Sequence, residues 1–280
     1  MNALALMRPS RASRDAIARA VLRLRSLNGS DNYRRFVVVG IARTGSTLLV
    51  NLLNAHSRVL AFGELFRSPE TIGWDTAPFN TSRSAKLLAL YRADPVAFIG
   101  ECIFRRWPRG WGAVGFKLFY YHARQLPYSS VWDYLAANRD IRILHIRRRN
   151  LLKQYYSLEQ AHKTDVWASS KADVDEQPPL RLEIDACRRH FAWVRSLEDD
   201  CTQCFKAHEM RDVFYEDLAA DAGREMMGIQ DFLGLDHERL SVKMVRQRRR
   251  PLSDAIVNYA ELKSAFEGTP WTGFFEDSAD

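Results

Sequence analysis

Cysteine is scarce in this 280-residue chain: Cys102, Cys187, Cys201 and Cys204 are all there are. Four is too few for a disulfide scaffold, which leads us to expect a reducing compartment and a cytoplasmic location. No apolar run approaches the roughly eighteen residues of a membrane span. No basic start, apolar stretch and small-residue cleavage site marks a secretory signal, so the N-x-S/T matches at Asn28 and Asn80 carry no weight. Internal repeats and low-complexity tracts are missing too. A balancing excess of acid is also lacking: 41 Lys and Arg face 34 Asp and Glu, a net charge of +7, with the basic residues clumped at RRF, RRR and RQRRR. That balance favours anionic ligands, whether nucleic acid, acidic lipid or a phosphorylated small molecule, and does not choose among them. What remains, 46% hydrophobic and 27% charged residues, describes an ordinary globular chain.

Residues 1–35 differ from the rest. They are rich in arginine, and Ile17, Val21 and Leu24 recur at helical spacing. Three readings stay open: a solvated helix packing one stripe on the body, an amphipathic helix at an anionic membrane surface, or a transit peptide. From Phe36 to residue 280 we expect one domain with an α/β rhythm. The runs FVVVG, VLAF, AVGFKLFYY, IRILHI and DVFYEDL predict strands. STLLVNLLNAH, KLLALYRA, PVAFIGECIFRRW, VWDYLAANR, NLLKQYYSLEQAHK, the long stretch from LRLEID to FKAH, and REMMGIQDFLG predict helices. Strands alternating with helices imply a mainly parallel central sheet flanked by helices.

The stretch FVVVGIARTGSTLL, residues 36–49, is the first chemical signal. Gly40 and Gly45 have the spacing of the nucleotide loop G-x-x-x-x-G-K-[ST], with Thr47 in the last position, so the fold expected is P-loop-like. A strand, a glycine loop and a helix N-terminus direct backbone N–H groups at one anion. Yet Ser46 stands where a triphosphate enzyme has lysine, and no apolar strand ending in a magnesium-binding Asp is evident. The positive charge sits at Arg43 instead.

RTGSTLL after an apolar strand resembles the 5′-phosphosulfate loop of sulfotransferases that use 3′-phosphoadenosine 5′-phosphosulfate. Within that family it looks closest to the bacterial carbohydrate group of nodulation-factor and trehalose type, over residues 36 to 280. The resemblance implies that Arg43, Thr44, Gly45, Ser46 and Thr47 bind the donor, without a metal, since the donor has no β- or γ-phosphate. It implies a 3′-phosphate site at Arg149 and Ser157, an Arg at a strand end and a Ser eight residues on. Arg147 and Arg148 are neighbours able to share that task. AFGELF resembles the segment that bears a glutamate base, which makes Glu64 the candidate general base, and GFKLF places Lys117 where relatives have a lysine facing donor or substrate. His122 is the second candidate base. Tyr215 and Glu216 in FYEDL are expected to be structural, and Arg248 to Arg250 to close over the phosphate or bind an acidic acceptor. The implied acceptor is a hydroxyl of a carbohydrate or glycolipid.

Cys201 and Cys204, as CTQC within a predicted helix, read as helix-face residues rather than a redox pair or zinc site. Two other functions compete with sulfuryl transfer. A P-loop kinase or NTPase needs the missing lysine and a magnesium acid. A nucleic-acid-binding module would account for the charge, but no helix-turn-helix or aromatic-basic stacking motif is present.

Overall fold

A computed structural model of the chain describes residues 29–74, 84–107, 110–126, 128–165, 178–241 and 251–276. The basic segment expected before residue 35 lies, through residue 28, outside the described residues. So do Arg248 to Arg250 and most of the loops around 75–83 and 166–177.

Five strands form one sheet: β1 (Arg34–Gly40), β2 (Val59–Glu64), β3 (Ala113–Phe119), β4 (Arg142–Arg147) and β5 (Met210–Phe214). Their order is β2-β3-β1-β4-β5, and every neighbouring pair is parallel. β1 is therefore central, which its sequence explains. Alternate residues of FVVVG enter two different cores: Val37 and Val39 join one cluster, Phe36 and Val38 the other, all fully buried. A strand buried on both faces reads as a continuous apolar run rather than an alternating one.

The helices that cover the sheet are α1 (Ser46–Ala55), α2 (Ala85–Ala93), α3 (Pro95–Phe98), α4 (Ser130–Ala137), α5 (Leu151–Thr164), α6 (Ile184–Cys204), α7 (Tyr215–Ala220), α8 (Ala222–Leu233), α9 (Leu252–Ala255) and α10 (Tyr259–Ala265). On one face α1 and α8 supply Leu49, Leu53, Ile229 and Leu233; on the other, α6 contributes Phe191 and Val194. This is the α/β, P-loop-like sheet that the sequence predicts.

Two segments differ from expectation. PVAFIGECIFRRW is not one α-helix, since α3 passes at Ile99–Ile103 into a π-helical turn. DVFYEDL is a strand only as far as Phe214, and Tyr215 opens α7, whose first turn carries Glu216 and Asp217. Acids there complement the helix N-terminal dipole, which accounts for the early end of the strand. All the parallel strands deliver their carboxyl ends to one edge of the sheet, the edge where ligands gather in open α/β folds.

Candidate active site

Gly40 ends β1 with no room for a side chain: a Cβ there would stand 2.6 Å from the carbonyl oxygen of Ile146 on β4. The chain then turns through Ile41–Gly45 into α1. Arg43 (φ 67°) and Gly45 (φ 80°) are left-handed and Thr44 between them is not, the alternation that makes anion-binding concavities of successive N–H groups. For Arg43 this conformation costs on the order of 1 kcal/mol, and something must hold it. A Cβ on Gly45 would meet the ring of Tyr215 at 2.4 Å, so Tyr215 walls the loop from below.

Donors from within the loop and from other elements occupy the loop's carbonyl groups. Thr44 Oγ1 donates to Ile41 O (2.7 Å), Gln154 Nε2 to Ala42 O (2.6 Å) and Arg148 Nη1 to Arg43 O (3.3 Å), while the backbone N–H of Tyr120 donates to Gly40 O (3.0 Å). Four consecutive peptide oxygens are thus drawn into the protein. What faces the concavity is the positive end of the peptide dipoles and of α1. Gln154 is fully buried and is fixed in turn by His190, whose Nε2 lies 2.6 Å from Gln154 Oε1. An amide oxygen only accepts, so that imidazole nitrogen carries the proton. Burial pushes His190 down to about 4, so it is neutral near pH 7.

Arg43 Nε donates to Ser157 Oγ on α5 at 2.9 Å. The structure therefore brings Ser157 to the loop arginine. Arg149, at the end of β4, lies elsewhere: its guanidinium is held bidentately by Asp217 at 2.6 Å for both bonds and packs over Phe214. Its backbone N–H, with that of Asn150, donates to Glu216 Oε1 at 3.0 and 3.2 Å. Glu216 thereby fixes the turn from β4 into α5, and Asn150 caps α5 by accepting from Lys153 N at 2.9 Å. Arg148 is almost wholly buried, over the ring of Tyr215 at 4.7 Å.

Glu64 and Lys117 are opposite each other across β2 and β3, after a register shift between Phe62 and Glu64. Lys117 Nζ lies 2.9 Å from Glu64 Oε1 and donates to Thr47 Oγ1, in the first turn of α1, at 3.3 Å. The lysine side chain is 5% exposed and the glutamate 19%. A carboxylate, an ammonium and the loop hydroxyl thus form one continuous row at the carboxyl end of the sheet. His122 is near but turned inward, its Nδ1 accepting from Phe119 N at 3.3 Å. Burial pushes it down to about 4; Glu64 pulls it up, and Lys117 and Arg67 push it further down. Tyr121, next in the chain, is half-exposed and stacks with Trp193 of α6.

Of the sequence-predicted residues, Arg43, Thr44, Gly45, Ser46, Thr47, Glu64, Lys117 and Ser157 stand around the loop, while Arg149 is engaged by Asp217. The helpers that sequence reasoning missed are Gln154, His190, Tyr120 and Tyr121, together with the loop contact of Arg148. None carries a local motif, because each acts through a contact with a residue distant in the chain, from 36 residues for His190 and Gln154 to 112 for Gln154 and Ala42. Cys201 is buried on α6 and its thiol is pushed up by burial, while Cys204 is exposed near the helix end. Among the described residues, no group of three or more His, Cys, Asp and Glu is placed to hold a metal ion.

No family model matches the sequence. Among curated proteins, the chain is 28% identical over 252 residues to nodulation protein H of Rhizobium meliloti (strain 1021), covering 88% of this chain and 96% of that protein. It is 27% identical over 243 residues to nodulation protein H of Rhizobium tropici, covering 86% and 92%. A solved structure of a sulfotransferase from Alicyclobacillus acidocaldarius aligns with a TM-score of 0.48 at 16% identity, over 86% of this chain and 94% of that one. Over nearly its whole length, therefore, the chain is similar to nodulation protein H of two Rhizobium species, and it carries a lysine-free loop at residues 40–47.

Proposed function

We propose that the chain transfers a sulfuryl group from 3′-phosphoadenosine 5′-phosphosulfate to a hydroxyl of a carbohydrate or glycolipid. The observation that carries this reading is the loop itself: its carbonyl groups at residues 40–43 are engaged elsewhere, and its charge comes from Arg43 rather than from a lysine. Such a cradle suits one phosphate and a neighbouring sulfate. The loop residues Arg43, Thr44, Gly45, Ser46 and Thr47 hold the 5′-phosphosulfate, and Arg149 with Ser157 receives the 3′-phosphate. For Arg149 this means sharing its guanidinium between Asp217 and the ligand.

In the reaction, the acceptor oxygen bonds to sulfur as the bond from sulfur to the departing phosphate oxygen breaks, and the acceptor's proton passes to Glu64. Negative charge growing on the leaving phosphate meets the loop N–H groups, Arg43 and Lys117. Electrostatic donors of this kind contribute about 10²–10³ each, and a general base about 10²–10⁴. Lys117 bridges Glu64 and Thr47. One ammonium can therefore neutralise the carboxylate before the donor arrives and face its phosphate afterwards. No metal is needed, because the donor has no outer phosphates to bridge. The reading also takes residues 36–280 as one catalytic domain, and residues 1–35 as a basic amphipathic segment whose charge would allow peripheral contact with an anionic membrane surface. The test of the chemistry is transfer of radiolabelled sulfate from the donor to a panel of saccharides and glycolipids in the presence of EDTA. Label should appear in a saccharide product. Label transfer that requires magnesium, or none to any hydroxyl, contradicts the proposal.

A further inference from the structure

Large apolar side chains are seldom left in water beside a binding site without a use. Among the described residues, five are markedly exposed: Tyr121, Leu126, Trp193, Met227 and Val257. Two of the five, Tyr121 and Trp193, each 44% exposed, are stacked on one another with centroids 6.4 Å apart and planes 19° apart. They lie beside the chemistry. Tyr121 lies two residues beyond the end of β3; its phenol is pushed up to about 12 by burial, then by the nearby Glu64 carboxylate, with a hydrogen bond from the Ala42 backbone of the loop opposing. Its ring also packs on Phe119, which lies under the Lys117 ammonium. Trp193 leans on His190 at 5.8 Å, and His190 stacks on Tyr155 at 4.5 Å. His190 is the residue that fixes Gln154 against the loop. The two rings are therefore anchored by the same support that holds the donor cradle.

We propose that the stacked rings of Tyr121 and Trp193 form the acceptor's platform, taking the apolar face of a sugar ring beside Glu64. A sugar has one face of C–H groups and a rim of hydroxyls, and the site offers matching parts: flat half-exposed rings for the face, a carboxylate and an ammonium for the rim. An open platform suits this better than it suits a wholly apolar aglycone, which requires an enclosed pocket. The inference rests on the sulfotransferase reading and extends it to a place for the acceptor.

The experiment is saturation-transfer NMR on the full chain with adenosine 3′,5′-bisphosphate present, using maltose, cellobiose, trehalose and N-acetylglucosamine as probes. It is run on wild type, Trp193→Ala and Trp193→Phe, with the bisphosphate dissociation constant measured for each. We expect saturation on the ring C–H protons of at least one sugar and an affinity loss of about tenfold in Trp193→Ala. Trp193→Phe should stay within about threefold of wild type, and bisphosphate affinity should hold in all three. Unchanged sugar binding in Trp193→Ala overturns the inference, as does no sugar binding by wild type. Weakened bisphosphate binding with sugar binding intact overturns it too, because the rings would then hold the donor's adenine. Loss of bisphosphate binding in wild type is a separate result and strikes the sulfotransferase reading itself.

Discussion

Glu64→Gln removes one negative charge while keeping the shape of the side chain, and both its consequences can be worked from the geometry. The lost partner is Lys117, 2.9 Å away and 5% exposed. Breaking a buried ion pair from one side costs about 3–5 kcal/mol, because the remaining charge stays desolvated. Here the cost is at or below the low end. The Gln amide oxygen can still accept from Nζ, Thr47 Oγ1 remains in reach at 3.3 Å, and the Glu64 side chain is 19% exposed. We expect a loss of roughly 2–3 kcal/mol, which for a chain of this size lowers Tm by about 5–10 °C. The catalytic effect is separate and larger: without a carboxylate to take the acceptor's proton, kcat should fall by about 10²–10⁴. The bisphosphate dissociation constant should not rise by more than about threefold, since the phosphate contacts assigned to Lys117 and the loop keep their groups when the Glu64 charge is removed. The assay is steady-state turnover on a true acceptor, well below the mutant's melting point, alongside calorimetric titration with the bisphosphate. Near wild-type kcat would refute Glu64 as the base and make His122→Asn the next variant. A fall in kcat matched by an equal loss of bisphosphate affinity would refute the division of labour between base and cradle.

Stability should also fall in acid. His122 and His190 are both pushed down to about 4 in the fold from an ordinary 6.5. The unfolded chain therefore binds protons that the fold refuses: stability is level above about pH 6.5 and declines down to about pH 4, by about 3 kcal/mol for each group at most. Urea titrations at several pH values should show this, and a His190→Gln variant with an unchanged slope between pH 6.5 and 4 would contradict it. Arg149→Ala should narrow the preference for adenosine 3′,5′-bisphosphate over AMP by about 1.5–3 kcal/mol, measured by titrating both ligands. Full preference in that variant moves the 3′-phosphate to another cation, with Arg43, already bonded to Ser157, the first to examine.

The fold was legible where one signal dominated. FVVVG followed by glycines at 40 and 45 specified the central strand, the loop and α1, because an apolar run before a glycine turn has few other uses. DVFYEDL misled because its aromatic residues favour strand while Glu216 and Asp217 favour a helix start, and the acids prevailed. IGECI looked helical and is, but with a wider turn that its composition does not announce. In the site, Glu64 and Lys117 were found separately, yet their pairing depends on the register of β2 on β3, which no single strand encodes. The clamps on the loop were invisible for a related reason. Gln154 reaches Ala42 across 112 residues and Arg148 reaches Arg43 across 105, and only the parallel topology brings them together.

The most direct test of the account compares adenosine 3′,5′-bisphosphate and AMP, both without metal, with ATP and magnesium as stabilisers of the chain. A ligand at a hundred times its dissociation constant adds about 2.7 kcal/mol, a rise in Tm of roughly 5–10 °C here. The account predicts that rise for the bisphosphate without any divalent cation and a much smaller one for AMP at the same concentration. Equal shifts for bisphosphate and AMP, or a shift with ATP and magnesium alone, would contradict it.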